Sequence, residues 1–135
     1  MGATSGKRNI KQTSLNDYVT WFEIPAINFD QAVGFYNQIY GIKMQTTSSN
    51  LHTMAFFPAK GGIGGAVVSG PGSNPSDSGP LIYLNGGDDL NNVLNKVEDA
   101  GGRIVMKKTL INEENGYFAI FIDSEGNKLA LHSKN

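Results

Sequence analysis

The sequence contains no cysteine and only two histidines, His52 and His132, among its 135 residues. Without cysteine, disulfide scaffolds, thiolate zinc sites, iron–sulfur clusters and cysteine nucleophiles are all excluded. Two histidines are also too few for a histidine-rich metal site. An apolar core must therefore stabilise the fold, and 39% hydrophobic residues in a chain of this length suffice for one globular domain.

The sequence also lacks an excess of charge of either sign. Its 11 basic and 12 acidic residues give a net charge of −1. No basic patch indicates a nucleic-acid partner, and no polybasic run indicates an anionic membrane. No apolar run approaches the length of a membrane span, and residues 1–17 lack the apolar segment of a signal peptide. We expect a cytoplasmic protein that binds neither nucleic acid nor a membrane.

The first half of the chain begins with the pattern of a strand followed by a helix. Residues 1–17 are predicted to form a flexible tail, and the β-branched and aromatic run Tyr18–Pro25 predicts a strand. Asn28 predicts a helix N-cap, with Gln31 as its capping-box partner. Gly41 predicts the end of that helix in the left-handed conformation.

Three further strands are predicted at 42–47, 51–58 and 63–69, followed by a linker at 70–79 that is rich in glycine, proline and serine. The second half repeats this order. Its predicted elements are a strand at 81–85, a helix starting at Asp88 or Asp89 with an apolar stripe, and strands at 103–107, 117–122 and 128–132. The members of the stripe are Leu90, Val93, Leu94, Val97 and Ala100.

The two halves correspond residue by residue. The glycines Gly41 and Gly101 lie 60 residues apart, and the later matching pair Ala66 and Ala130 lies 64 residues apart. A repeat of this length is a duplicated supersecondary unit. We predict an α+β fold of two tandem βαβββ modules, at 18–69 and 80–133, within a single domain spanning 18–133. Each sheet buries one face under its helix, and the opposite faces of the curled mixed sheets enclose a cleft.

Four segments carry a resemblance to a known family. They are WFEIP at Trp21–Pro25, AVGFY at Ala32–Tyr36, GYFAIF at Gly116–Phe121 and DSEGN at Asp123–Asn127. In this order they resemble the glyoxalase/bleomycin-resistance/extradiol-dioxygenase (vicinal oxygen chelate) superfamily, over nearly the whole chain. The resemblance implies two βαβββ modules around a cleft. The family includes glutathione-dependent lyases, isomerases, ring-cleaving dioxygenases, fosfomycin-modifying enzymes and drug-sequestering proteins.

The resemblance also implies four positions where the enzymes of this family hold a divalent metal with His or Glu. In this sequence they fall on Trp21, on Leu81 or Ile82, on Ala66 and on Ala130. None of these side chains can ligate a divalent cation. We therefore expect no metal site and no cofactor.

The candidate site residues lie on the first and last strands of the modules. Glu23 is two residues beyond Trp21, so both side chains point to the same sheet face. Glu23 is the candidate catalytic base or anchor for a cationic group, with an exposed strand glutamate as the alternative. Tyr83 and Asn85 are candidate ligand-binding residues. The alternative for Asn85 is that its side chain only forms hydrogen bonds with backbone groups at a strand end. His132 shares a face with Ala130 and is the last candidate, with a frayed C-terminal histidine as its alternative.

The remaining carboxylates are interpreted without a site role. Glu113 and Glu114 are adjacent in a polar loop and are expected to be solvated. Asp123 and Glu125 are assigned to the hairpin turn 123–127.

Three functions fit these observations. The first is a metal-free binding module for a small organic molecule, with Trp21 and Tyr83 as stacking surfaces and Glu23 as a charge anchor. The second is a lyase, isomerase or dioxygenase related to glyoxalase I, either metal-free with Glu23 as base or using ligands not identified. The third is a subunit whose cleft is vestigial and whose role is protein association. The long linker 70–79 permits modules to pair within or between chains, and we predict a homodimer.

Overall fold

A computed structural model describes residues 14–135 of the chain. Most of the predicted tail, 1–17, lies outside this range. Within it, residues 14–20 are exposed and form no helix or strand. The longest helix has 12 residues, and no helix in the described part of the chain is both long and apolar enough to cross a membrane.

The first module forms a four-stranded mixed sheet. Its strands are β1 (Trp21–Ala26), β2 (Gln45–Ser49), β3 (His52–Phe56) and β4 (Gly64–Ser69), with helix α1 (Phe29–Tyr40) between β1 and β2. Their order in the sheet is β1-β4-β3-β2. Strands β1 and β4 are parallel, and the other pairs are antiparallel.

The second module repeats this arrangement. Its strands are β5 (Tyr83–Asn85), β6 (Arg103–Asn112), β7 (Gly116–Ile122) and β8 (Lys128–Ser133), with helix α2 (Asn91–Leu94) between β5 and β6. The order β5-β8-β7-β6, with only β5 and β8 parallel, matches the first sheet strand for strand. The predicted α+β fold of two tandem βαβββ modules is confirmed.

Helix α1 has the ends that the sequence predicts. The Asn28 side chain accepts a hydrogen bond from Gln31 N at 3.1 Å, and its amide donates to Gln31 Oε1 at 3.0 Å. Gly41 ends the helix with φ at +62°, a conformation that glycine adopts without strain. The buried side chains of the helix are Ala32, Phe35, Tyr36 and Ile39.

Helix α2 is much shorter than predicted. Regular helix covers only Asn91–Leu94. The turns that follow contain hydrogen bonds from an N–H to the carbonyl three residues earlier, such as Val97 N to Leu94 O at 3.0 Å. The apolar stripe still packs, because Leu90 and Val97 are fully buried. The apolar residues of the stripe are therefore buried as predicted, although the segment is not helical over its predicted length. Three asparagines and two valines are weak helix formers, and Leu90 offers no side-chain cap.

Strand β6 is longer than predicted. It continues to Asn112 because it pairs with β7 along its whole length, through three register shifts. Lys108 ties the strand to the start of α2: its Nζ lies 3.0 Å from Asp89 Oδ1 and 4.6 Å from the centre of the Tyr117 ring. The backbone N–H of Asn91 and this ammonium hold the pKa of Asp89 below its usual value.

One apolar core joins the two modules. Phe35 of α1 stacks on Phe121 of β7 with ring centres 6.1 Å apart. The same core contains inward-facing residues of both sheets, including Ile24, Val67 and Leu131. The first helix therefore covers part of the second sheet as well as its own.

The turn between β7 and β8 fixes the modules to each other. Asp123 is only 3% exposed. Its carboxylate accepts hydrogen bonds from the Tyr36 hydroxyl at 2.7 Å and from Asn127 Nδ2 at 3.0 Å. It also accepts from the backbone N–H groups of Glu125 and Asn127, at 2.8 and 3.0 Å. Burial, with Asp123 alongside, raises the pKa of Tyr36 well above its usual value, so the phenol remains a donor.

Two more contacts from this turn reach the start of α1. Glu125 Oε1 accepts from Ile27 N at 2.9 Å and from Asn28 N at 2.7 Å. Asn127 Nδ2 donates to Pro25 O at 2.8 Å. Asp123, Glu125 and Asn127 are called the inter-module clasp below. The interpretation of Asp123 and Glu125 as residues of a turn alone was incomplete, because no sequence pattern shows which distant N–H groups a turn carboxylate will meet.

Replacement of Glu125 by alanine tests the clasp. The substitution removes a charged acceptor from two backbone N–H groups, so the free energy of unfolding should fall by about 1–2 kcal/mol. Urea denaturation measures this loss. Glu113→Ala is the matched control: it removes the same charge from an exposed turn of the second module, and we expect a change within about 0.5 kcal/mol. Equal losses in both variants would contradict the role assigned to Glu125.

Candidate functional site

Each sheet has one face toward the shared core and one face away from it, which we call the open face. In β1, Phe22, Ile24 and Ala26 pack toward the core. Trp21 and Glu23 alternate with them and are exposed. The indole Nε1 donates to Glu23 Oε2 at 3.2 Å. The prediction that both side chains share a face is confirmed.

Phe56 joins these two residues on the open face of the first sheet. The strand register places Glu23 beside Ala66 of β4, and Ala66 beside Phe56 of β3. The rings of Trp21 and Phe56 have centres 6.2 Å apart, with planes inclined by 58°. Trp21, Glu23 and Phe56 are called the acidic aromatic corner below.

Gly64 is the residue on which the Trp21 indole packs, and it is called the seat of the indole below. It pairs with Trp21 in the register, and a Cβ added to it would lie 3.0 Å from the six-membered ring. The indole therefore packs on bare backbone, in a position that a side chain at 64 would disturb. Even so, 44% of the Trp21 side chain stays exposed.

The open face of the second sheet carries the other candidates. Tyr83 pairs with Ala130, and Asn85 pairs with His132, which is itself paired with Phe118. The rings of Tyr83 and Phe118 have centres 6.4 Å apart. Tyr83 is 52% exposed. The open face of the second sheet thus also carries an aromatic pair.

Three of the five predicted residues meet in one depression. Tyr83, Asn85 and His132 line an open space of about 400 Å³, together with Leu84, Gly87, Ser133 and Lys134. Trp21 and Glu23 do not line it, because they lie on the other sheet. The candidate residues therefore form two groups. A second depression of about 460 Å³, between Tyr40 and Lys96, includes Asn85 but none of the other candidates.

His132 occupies a fixed position in this depression. Strand β8 runs on to Ser133, so the histidine is not frayed. Its Nε2 lies 2.6 Å from the carbonyl oxygen of Asn115. A carbonyl only accepts, so Nε2 carries the proton, and Nδ1 is the acceptor when the ring is neutral. The ring can present Nδ1 to a ligand but cannot offer Nε2 without losing this contact.

Asn85 is engaged with its own strand end. Its Oδ1 accepts from Gly87 N at 2.8 Å, and its carbonyl accepts from the Tyr40 hydroxyl at 2.7 Å. Burial raises the pKa of Tyr40, which keeps that phenol protonated as a donor. This geometry favours the alternative in which the Asn85 side chain forms a hydrogen bond with the backbone, which leaves only its amide nitrogen for a ligand.

Sequence reasoning missed Phe56, Phe118 and Gly64. Period-2 alternation assigns each residue to one of two faces. It does not say which strands are neighbours, so it could not pair Phe56 with Trp21 or Phe118 with Tyr83. The glycine content of residues 61–65 was a signal of close backbone approach, but the indole that approaches is 43 residues earlier than Gly64.

No protein-family model and no curated protein matches this chain. Solved structures do. A hypothetical protein from S. aureus is 19% identical with a TM-score of 0.62, covering 90% of this chain and 96% of its own. A glyoxalase/bleomycin resistance protein from Albidiferax ferrireducens is 12% identical with a TM-score of 0.65, covering 88% of this chain and all of its own. Glyoxalase I from Zea mays is 17% identical with a TM-score of 0.61, covering 84% of this chain.

These similarities establish the fold. At such low identity they do not extend to an activity. This chain spans 42% of the maize glyoxalase I chain. The protein therefore has the vicinal oxygen chelate fold, as the resemblance in its sequence implied.

The metal positions that the resemblance implies carry no donor atoms in this fold. Glu23 pairs with Ala66, and Tyr83 pairs with Ala130, so the counterpart of Trp21 is Leu81. Ala66 and Ala130 are fully covered by their neighbours. Residues 14–135 contain no cluster of three or more His, Asp or Glu that could hold a metal ion. The residues present do not fit the metal of the family's enzymes.

Elemental analysis of the purified protein tests this conclusion. Because a metal site needs three or more converging donors, we expect far less than one transition-metal ion per chain. Dialysis against excess zinc or nickel, followed by gel filtration, should leave the content low. One tightly held ion per chain, removed only by chelators, would contradict it.

Proposed function

We propose that this protein binds a small organic molecule on the open faces of its sheets, without a metal. The observation that supports this most directly is the exposure of large aromatic side chains. Trp21 is 44% exposed and Tyr83 is 52% exposed, each on the open face of its own sheet. An indole and a phenol held on a rigid sheet offer stacking surfaces at little cost in conformational entropy.

The polar groups nearby favour recognition over chemistry. The indole N–H occupies one oxygen of Glu23, and the Asn115 carbonyl occupies one nitrogen of His132. Glu23 and His132 also lie on different sheets, so they form no pair of base and nucleophile within hydrogen-bond distance. The solved structures with this fold include glyoxalase I and a bleomycin resistance protein. Both names refer to small molecules, which supports a ligand of that size here.

A metal-free enzyme is the alternative function. The second oxygen of Glu23 accepts no hydrogen bond from the described residues, so it is available as a base. A substrate that the wild-type protein converts to product, and that the Glu23→Gln variant does not convert, would favour the enzyme. Binding without turnover favours the proposal.

Tryptophan fluorescence is the direct assay, because Trp21 is the only tryptophan in the chain. We expect saturable changes in emission with members of a panel of aromatic compounds and thiol conjugates. Tyr83→Ala should weaken the affinity for an aromatic ligand that spans both sheets, by about threefold to tenfold, because one stacking contact is lost.

Tyr18→Ala is the matched control for Tyr83. Tyr18 is 85% exposed and lies outside both sheets, so its loss should leave affinity unchanged. Equal effects of the two substitutions would remove Tyr83 from the site. The absence of any ligand in the panel would count against the function itself.

We also infer that the protein forms a homodimer. Edge strand β6 carries four large exposed apolar side chains, which a second copy would cover; they are Val105, Met106, Leu110 and Ile111. Light scattering should give twice the 14.5 kDa chain mass. A monomeric mass at high protein concentration would contradict this inference.

A further inference from the structure

We propose that the acidic aromatic corner binds the cationic group of an organic ligand, such as an alkylated ammonium. This inference rests on the proposed function and specifies the ligand's chemistry. The corner combines a carboxylate with two aromatic rings on one sheet face. That is the combination by which proteins recognise ammonium groups that carry apolar substituents.

The carboxylate of Glu23 is held in place but not neutralised. The indole N–H fixes Oε2 at 3.2 Å and leaves Oε1 free of described partners. Within residues 14–135 the only ion pair joins Lys108 to Asp89, so no described lysine or arginine is paired with Glu23. A ligand cation would therefore meet an oriented negative charge. An anionic ligand would be repelled from the same place.

The two rings add a second attraction for a cation. Their planes are inclined by 58° and their centres are 6.2 Å apart, so they offer two differently directed rings on the sheet face that carries the carboxylate. A cation within about 6 Å of a ring centre is attracted by the electron density of the ring face. A methylated ammonium also buries apolar surface against the rings, which a metal ion or a hydrated inorganic cation does not.

The repeat supplies an internal comparison. At the offsets of 60 and 64 residues, the counterparts of Trp21, Glu23, Phe56 and Gly64 are Leu81, Tyr83, Ile120 and Lys128. The second sheet thus has no carboxylate or indole at these positions, and it carries a lysine where the first has its glycine seat. The cationic end of a ligand is favoured on the first sheet only. The second sheet offers only the uncharged aromatic pair Tyr83 and Phe118.

Three probes of similar size separate charge from stacking. They are benzyltrimethylammonium, benzyl alcohol and benzoate, each titrated while Trp21 emission is followed. We expect benzyltrimethylammonium to bind at least tenfold more tightly than benzyl alcohol, and benzoate to bind most weakly. The advantage of the cation should shrink as salt is raised from 50 to 500 mM, because an exposed carboxylate is screened.

Glu23→Gln isolates the carboxylate while keeping the shape of the side chain. Affinity for benzyltrimethylammonium should fall about tenfold, affinity for benzyl alcohol should not change, and Tm should be unchanged or higher. Glu113→Gln makes the same change of charge on an exposed turn and should alter none of these values.

Gly64→Ala tests the seat of the indole. The added methyl group would lie 3.0 Å from the ring and displace it slightly, so cation affinity should fall by up to about threefold and the emission maximum of Trp21 should shift. Gly34→Ala is its control, since a Cβ at that exposed helical position meets no atom within 4 Å. It should leave both quantities unchanged.

The outcomes distinguish this inference from the proposed function. Equal binding of all three probes, or cation affinity that survives Glu23→Gln, would overturn the cation site and leave small-molecule binding standing. If no probe changes the emission of Trp21 and calorimetry detects no binding, both fail.

Discussion

The buried carboxylate of Asp123 is the interaction on which the rest of this structure depends. Four donors converge on it, one of them the hydroxyl of Tyr36 in the opposite module. A buried carboxylate is tolerated only when such donors replace water. The same turn presents Glu125 to the first backbone N–H groups before α1, where the helix dipole also favours negative charge. The three residues of the clasp thus set the position of one module against the other.

That relative position decides which surfaces remain open. Because α1 packs on both sheets, the apolar face of each sheet is buried in a single core. The other face of each sheet is left without a covering element among the described residues. Aromatic side chains there cannot be explained by packing into the core. They form two pairs, one on each open face, and a rigid frame keeps both pairs oriented.

Duplication and divergence are both visible in these open faces. The strand order is the same in both modules, and the register of the two parallel strand pairs matches, down to Ala66 and Ala130. The residues around those alanines differ: Glu23 in one sheet is replaced by Tyr83 in the other. Alanine at both positions removes the donors that a metal would need. The two open faces are therefore chemically unlike, because only the first carries a carboxylate at this position.

Local signals made much of the fold predictable. The caps at Asn28 and Gly41 depend on neighbours in sequence, and both were confirmed. The repeat, with offsets of 60 and then 64 residues, was confirmed by the matching strand orders. The shortened α2 was not predicted, because the apolar stripe indicated a helix although three asparagines with low helix propensity lie between its members. Contacts between distant segments were also beyond the sequence. Tyr36 and Asp123 are 87 residues apart, and nothing local marks them as partners. Neither does alternation identify Phe56 as the neighbour of Trp21.

A nitrogen–proton NMR titration with benzyltrimethylammonium tests the central claim, that the open face of the first sheet is the binding surface. Trp21 gives the only indole N–H signal of the protein. We predict that this signal moves together with the amides of residues 21–24 and 64–66, while the amides of Ile27, Glu125 and Asn127 in the clasp stay in place. Shifts confined to the depression between Tyr40 and Lys96, with the indole signal unmoved, would contradict the account.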